Sequence, residues 1–193
     1  MATQPQQFVT LEEYFEQERT ALDRHEYLNG EVFAMAGGSA AHSIIITNVL
    51  SELHRQLRER DCTVYDGNMR IRTAPTGLYS YADAVVSCGS AQVEQDTLLN
   101  PVVIAEVLSK STEGYDWGVK FEMYRQIASF REYLIVAQDR VYVEHHAREN
   151  GNHKVWTMRE YTNLKDVVNL ETIPVKLRLP DIYAKVSFPV EST

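Results

Sequence analysis

The chain has 193 residues, of which 44% are hydrophobic and 24% are charged, a composition that allows it to bury a core of its own. The net charge of −8 argues against a dedicated nucleic-acid binder, because such proteins usually have a basic balance or a basic face. It does not exclude a local basic patch. Residues 1–7 are polar without a signal-peptide hydrophobic region, and no apolar run approaches the ~20 residues of a membrane helix. We therefore expect a cytoplasmic protein without membrane contact that forms one domain over residues 1–193.

The cysteines of the chain are Cys62 and Cys88. They form no CxxC pair and no Cys/His cluster with the spacing of zinc ligands. We expect both to be reduced, structural thiols.

The N-terminal part predicts a helix followed by a hairpin. Thr10 and Glu13 have the spacing of a capping box, and the apolar residues after Thr10 are helix-spaced, which predicts a short amphipathic helix over 10–18. Asn29-Gly30 lies between hydrophobic positions and is a strong signal for a tight hairpin turn.

A longer helix is predicted next, because apolar residues recur at helical spacing from Ile45 to Leu57. Ser39 or Ser43 is expected to cap its N-terminus. Its opposite face carries His54, Arg55, Arg58 and Arg60. We interpret that face as solvated rather than as facing DNA.

From Thr63 onward the apolar pattern has period two, which predicts strands separated by polar turns. The predicted strands are 63–66, 69–73, 80–87, 101–108, 132–136, 140–146 and 154–161, with a helix at about 116–129. The expected fold class is α/β, an α+β mixed sheet flanked by helices.

Two acidic residues, Asp83 and Glu106, interrupt the hydrophobic runs of two predicted strands. Residues two apart share a strand face, so Asp83 lies with Tyr81 and Val85. Residues 102–108 are apolar on both faces apart from Glu106, which predicts a central strand covered on both sides. A carboxylate buried there needs a partner, because an unpaired buried charge is expensive.

The following helix supplies a candidate partner, Lys120. Trp117, Phe121 and Tyr124 define its apolar stripe, and Lys120 lies within that stripe, so we expect it to point toward the sheet. The alternative is an exposed ion pair with Asp116, four residues earlier, worth ~0.3–0.5 kcal/mol. Two carboxylates and a lysine suit phosphodiester hydrolysis, since hard oxygen ligands hold Mg²⁺ and an ammonium can orient water or stabilise developing charge.

Three further residues are secondary candidates. Glu26 and Glu31 flank the Asn-Gly turn, and either could be a third metal ligand or an ordinary exposed hairpin acid. His42 begins the long helix, where it could contact a phosphate, act as an acid or base, or hydrogen-bond the helix end.

Several ordered motifs carry a resemblance to a known family. They are Tyr-Ala-Asp-Ala-Val-Val (81–86), Ala-Glu-Val-Leu-Ser-Lys-Ser-Thr (105–112), Tyr-Asp-Trp-Gly-Val-Lys-Phe-Glu-Met-Tyr (115–124) and Arg-Glu-Tyr-Leu-Ile-Val (131–136), preceded by residues 26–35 and Ala41-His42. Over residues 8 to at least 147 the sequence resembles the Uma2 family, which is restriction-endonuclease-like and belongs to the PD-(D/E)XK nuclease superfamily.

The resemblance implies a restriction-endonuclease-like core at about 8–147 with an N-terminal helix and hairpin, followed by a strand-rich C-terminal extension at about 148–193. It makes Asp83 the Asp of the PD motif, with Ala82 in place of the proline, and Glu106 the acid of the second motif. The superfamily lysine two residues after that acid is replaced here by Leu108. The Uma2 pattern instead has a lysine on the next helix, which corresponds to Lys120.

The activity that the resemblance implies is hydrolysis of DNA by an endonuclease that uses Mg²⁺ or Mn²⁺ and works as a homodimer. Asp83, Glu106 and the backbone carbonyl of Val107 would ligate the metal, Lys120 would orient the attacking water, and Asp116 would hold Lys120 in place. The alternative is a non-catalytic oligomeric binding or assembly module that keeps the nuclease fold. A third hypothesis is hydrolysis of a small nucleotide or phosphoester.

Overall fold

The structure is a computed structural model that describes residues 8–35, 38–74, 77–108, 114, 116–150 and 154–188. The side chain of Asp116 lies outside this description, and so does its predicted interaction with Lys120. Among the described residues, the helices are too short or too polar to span a lipid bilayer.

The N-terminal elements form as the local sequence signals predict. Helix α1 (Leu11–Thr20) begins with a complete capping box between Thr10 and Glu13. Strands β1 (His25–Leu28) and β2 (Glu31–Ala34) pair across a two-residue turn. Both turn residues, Asn29 and Gly30, have positive φ, 51° and 92°, the conformation that Asn-Gly favours in tight hairpins.

Helix α2 (Ala40–Leu57) begins at Ser39, whose side chain accepts the backbone N–H of His42. The predicted apolar stripe is buried, with Ile45, Val49 and Leu53 each at most 1% exposed. Of the two candidate caps, the structure therefore selects Ser39.

Most of the other elements are strands in two six-stranded mixed sheets. The further strands are β3 (Cys62–Asp66), β4 (Arg70–Arg72), β5 (Tyr79–Tyr81), β6 (Ala84–Cys88), β7 (Val93–Glu94), β8 (Thr97–Leu98), β9 (Val103–Leu108), β10 (Glu132–Ala137), β11 (Val143–Arg148), β12 (Trp156–Tyr161), β13 (Val167–Asn169) and β14 (Lys176–Arg178). The first sheet has the order β2-β1-β5-β4-β8-β7 and the second the order β12-β11-β10-β9-β6-β3, while β13 and β14 form a separate hairpin. The mixed sheet flanked by helices is therefore confirmed.

Two predicted elements differ from what forms. The predicted strand 80–87 is divided at Ala82 and Asp83, because β5 pairs within the first sheet and β6 within the second. The predicted helix 116–129 is a π-helix (Asp116–Lys120) followed by one short turn, α3 (Phe121–Tyr124). A last short helix, α4 (Leu179–Ile182), follows β14 and was not predicted.

The second sheet is covered on both faces. One face packs against α2 and against the C-terminal segment, in a cluster that includes Val49, Val107 and Leu177. The other face packs against α3 and the first sheet, in a cluster that includes Ile104 and Tyr124. Strand β9 is buried along its whole length, as the apolar run around Glu106 predicts.

The cysteines are not free thiols. Cys62 and Cys88 are directly opposite each other on the antiparallel strands β3 and β6, with their Cα atoms 4.0 Å apart, and they form a disulfide. Opposite residues in an antiparallel pair point to the same side of the sheet, which brings the two sulfur atoms together. The prediction of reduced thiols is wrong for this structure.

Candidate active site

The two acids that interrupt the hydrophobic runs lie side by side. Strands β6 and β9 are antiparallel with Ala84 opposite Ala105, so the residues just beyond this pair, Asp83 and Glu106, come together where the chain passes from the first sheet to the second. The Asp83 N–H donates to Glu106 Oε2 at 3.4 Å, and the Val107 N–H donates to Asp83 Oδ2 at 2.7 Å. Each carboxylate therefore accepts a hydrogen bond from the backbone of the other strand segment, which holds the two side chains next to each other.

Lys120 reaches this pair from the π-helix. Its side chain is buried, and Nζ donates to Glu106 Oε1 at 3.2 Å and to the Tyr81 carbonyl at 3.5 Å. The inward direction expected from the apolar stripe is therefore found. Leu108, two residues after Glu106, is buried in the hydrophobic cluster on the same face of β9.

Glu26 on β1 is the second acidic partner of Lys120. Its Oε1 lies 2.9 Å from Nζ, and both side chains are only 6% exposed. Glu31 does not share this position. It lies opposite Leu28, and Leu28 is two residues, or about 7 Å along the strand, closer to the turn than Glu26. Of the two hairpin acids, the structure therefore brings Glu26 to the site.

The local charge favours a cation. Glu26 and Glu106 are buried on either side of one ammonium, so this trio carries a net charge of −1 when all three groups are ionised. Asp83 adds a further negative charge and is more open, with 17% of its side chain exposed. A divalent cation at the exposed side of these carboxylates would neutralise part of this negative charge.

Tyr124 completes the buried network. Its hydroxyl lies 3.2 Å from Glu106 Oε1, to which it donates, and 2.9 Å from Ser80 Oγ. Burial, with the nearby Glu106 carboxylate, raises the pKa of Tyr124 well above its usual value, so the hydroxyl keeps its proton for this hydrogen bond. The apolar stripe predicted that Tyr124 points inward, but nothing in the sequence indicated this partner.

Replacing Tyr124 by phenylalanine tests the hydrogen bond to Glu106. We expect Tyr124→Phe to lower the free energy of unfolding by about 1.5 kcal/mol, because a hydrogen bond to a charged acceptor is lost while Lys120 continues to balance the carboxylate. Urea unfolding measures the change. Tyr142→Phe, which removes a hydroxyl bonded to two more exposed carboxylates, is the matched control and should change stability less.

His42 approaches the site from the start of α2. Its Nε2 lies 3.5 Å from Asp83 Oδ2, and the two side chains are 16% and 17% exposed. Gln138 fixes this end of the helix to β9, since its Nε2 donates to the Leu108 carbonyl at 2.6 Å and its Oε1 accepts from Ser39 Oγ. The imidazole is thus placed at the open side of the Asp83 carboxylate.

The donor set suits a hard cation that keeps several water ligands. Within the described ranges, no group of three or more His, Cys, Asp or Glu side chains has the geometry of a metal site. Asp83 and Glu106 nevertheless offer two adjacent carboxylates, and Mg²⁺ is commonly bound through one or two carboxylates with waters in its other positions. The site therefore fits Mg²⁺ or Mn²⁺ better than Zn²⁺, whose protein ligands are mostly cysteine sulfur and histidine nitrogen.

Comparison with known proteins identifies the family. The family model of Uma2, described as "Putative restriction endonuclease", matches residues 11–181. The chain belongs to the Uma2 family. This match covers both Asp83 and Glu106 as well as Lys120, and it extends through most of the C-terminal part.

Individual proteins are similar to this chain over most of its length. The uncharacterized protein slr1290 of Synechocystis sp. is 30% identical over 179 residues, which are 92% of each chain. A second uncharacterized Synechocystis protein, sll1609, is 32% identical over 155 residues, covering 79% of this chain and 86% of that protein. A crystal structure from Anabaena variabilis, described as "a putative nuclease belonging to DUF820", has a TM-score of 0.75 at 14% identity and covers 91% of this chain and 98% of that one. This last similarity shows that the two proteins share a fold.

Proposed function

We propose that this Uma2 protein is a Mg²⁺- or Mn²⁺-dependent endonuclease that hydrolyses phosphodiester bonds of DNA. The observation that supports the proposal is the convergence of Asp83, Glu106 and Lys120 at the crossing between the two sheets. Asp83 and Glu106 would hold the metal, together with the carbonyl of Val107, whose N–H already binds Asp83. The bound cation would supply Lewis acidity at the phosphate and lower the pKa of a water ligand.

The protein's own groups would perform the remaining tasks. Lys120 would orient the attacking water or stabilise charge on the phosphate, because its ammonium lies 3.2 Å from the Glu106 carboxylate. Glu26, at 2.9 Å, would hold that ammonium in place, a role for which the sequence suggested Asp116. His42, beside the open edge of Asp83, would contact the phosphate or exchange a proton with it.

Removing the Asp83 carboxylate tests the proposal directly. We expect Asp83→Ala to abolish Mg²⁺-dependent cleavage of plasmid and branched DNA, because one of two carboxylate ligands is lost. Isothermal titration with Mn²⁺ should show saturable binding in the wild type and none in Asp83→Ala or Glu106→Ala. Glu52→Ala is the matched control, since it removes a carboxylate that pairs with Arg55 on the exposed side of α2.

Three results would contradict the nuclease proposal. Equal background nicking by the wild type and by Asp83→Ala would show that the observed cleavage comes from a contaminant. A stable oligomer that binds neither Mg²⁺ nor Mn²⁺ would favour the non-catalytic assembly module. The net charge of −8 is also consistent with that module. Turnover of small nucleotides or phosphoesters in preference to DNA would favour the third hypothesis.

Three further features belong to the same proposal. We propose a homodimer, because two sites are needed to address two strands, and a cytoplasmic location. We also propose that residues 1–193 act as one domain, since the C-terminal segment shares a hydrophobic cluster with α2.

Two experiments test these features. Sedimentation would measure the oligomeric state. Thiol labelling in freshly lysed cells would show whether Cys62 and Cys88 are disulfide-bonded in the native compartment.

A further inference from the structure

A second group of basic side chains lies beyond the helical segment that carries Lys120. Arg125 follows α3, Arg131 precedes β10, and Arg148 ends β11. The Arg148 N–H donates to the Arg131 carbonyl at 2.8 Å, and Arg148 Nη2 donates to the Arg125 carbonyl. We call these three residues the arginine cluster.

The arginine cluster has no acidic partner within the part of the chain that the structure describes. Other arginines, such as Arg55, Arg72 and Arg159, form ion pairs with glutamates, whereas among the described residues no ion pair involves the three members of the cluster. Burial, reinforced by the positive charges of the other two, lowers the pKa of Arg148. Like charges held together in this way would be stabilised by a bound anion.

Hydrogen bonds within the protein use only part of the donors. Arg131 uses Nη1 for the carbonyls of Ala128 and Phe130, and Arg148 uses Nη2 for the Arg125 carbonyl. Arg148 is only 8% exposed, yet its Nε has no hydrogen-bond partner. These bonds to the loop after α3 account for one nitrogen each of Arg131 and Arg148, and they leave the buried Nε of Arg148 unsatisfied, which is unfavourable.

Aromatic rings hold two of the guanidinium groups. Arg148 lies over the Trp156 ring, 4.9 Å from its centroid, and Arg125 lies 5.7 Å from the centroid of Phe121. Phe121 in turn stacks on Tyr133 at 5.3 Å and meets Trp156 edge-on at 5.2 Å. Guanidinium groups fixed in this way lose little freedom when they bind the oxygens of a phosphate.

We propose that the arginine cluster binds a backbone phosphate of the DNA strand, a few nucleotides from the bond that is cleaved. This inference rests on the proposed function, because it takes the same polymer as the ligand. Lys120 and Arg125 are five residues apart on one helical segment, about 7.5 Å along its axis. This separation is more than one helical turn, so the cluster would meet a different phosphate from the one beside Lys120. The cluster explains how a chain of net charge −8 could hold DNA locally.

The test measures DNA binding without metal. Fluorescence anisotropy of a labelled duplex, in EDTA and over a series of salt concentrations, would compare the wild type with Arg125→Ala and Arg131→Ala. Because the cluster binds one phosphate, the slope of log K against log salt should become shallower in each variant, by at most ~0.9. Arg125→Lys should keep most of the slope. Arg148 is left intact because its removal would disturb the loop that it braces.

Arg55→Ala is the control, since Arg55 is an exposed arginine on α2 that already pairs with Glu52. An unchanged slope in both cluster variants would overturn the inference, as would an equal change in Arg55→Ala or no binding by the wild type. The outcome is separable from that of the proposed function. Duplex that binds with a cluster-dependent slope but is not cut in Mg²⁺ would contradict the nuclease alone, whereas metal-dependent cutting with a cluster-independent slope would contradict this inference alone.

Discussion

Lys120→Met should both eliminate cleavage and destabilise the protein. The substitution leaves Glu26 and Glu106 buried beside an apolar side chain. Removing one partner of a buried ion pair typically lowers the free energy of unfolding by about 3–5 kcal/mol. Cleavage should fall by at least about 10²-fold, because a charged group beside the reacting phosphate is lost. Urea unfolding measures the first effect and plasmid cleavage, at a temperature where the variant is folded, measures the second.

A second substitution separates the two effects. In Lys120→Met/Glu26→Gln one of the uncompensated carboxylates is removed, so we expect a large part of the lost stability to return while cleavage stays absent. Glu26→Gln alone should retain an ammonium paired with Glu106 and should keep measurable activity. Cleavage by Lys120→Met at the wild-type rate would show that Lys120 is a structural residue, and the catalytic assignment would fail.

Glu132→Gln should destabilise the protein by about 3 kcal/mol without involving the candidate active site. Glu132 is fully buried, and its carboxylate accepts the backbone N–H groups of Glu171 and Thr172 while it contacts His145 Nε2 at 2.7 Å. An amide has only one accepting oxygen, so at least one of these buried donors would lose its partner. Urea unfolding at pH 7 measures the change.

The same substitution has a defined pH dependence. Burial acts to raise the pKa of Glu132, but the hydrogen bonds from His145, Glu171 and Thr172 outweigh it and lower the pKa below the usual value. A carboxylate with a lowered folded-state pKa adds stability above its unfolded-state value, which is lost as the pH falls through the folded-state value. The difference in stability between wild type and Glu132→Gln should therefore be full at neutral pH and shrink in acid.

Glu171→Gln is the control for this experiment, because it alters an exposed ion pair with Arg159 and keeps the backbone N–H that Glu132 binds. Its effect should lie within about 1 kcal/mol. A difference between wild type and Glu132→Gln that stays constant from neutral to acid pH would contradict the proposed origin of the lowered pKa.

Much of the local structure followed from short-range chemistry. The capping box at Thr10, the Asn29-Gly30 turn and the apolar run around Glu106 each depend on neighbouring residues alone, and each forms as predicted. The π-helix and the short α3 did not follow, because the same apolar stripe fits one long helix and only packing against the sheet fixes where the helix ends.

Local patterns in the sequence predict the fold class, the order of most elements and the positions at which two acids and a lysine interrupt buried runs. The contacts of these groups depend on how distant segments of the chain fold together. The chain changes sheets at Asp83, which brings Glu26 from one sheet and Glu106 from the other to the same ammonium. The fold also places Cys62 opposite Cys88 and brings the arginine cluster together from the ends of three elements. Periodicity identifies the face on which a side chain lies, but contacts between distant segments depend on strand pairing and crossing, which no local pattern encodes.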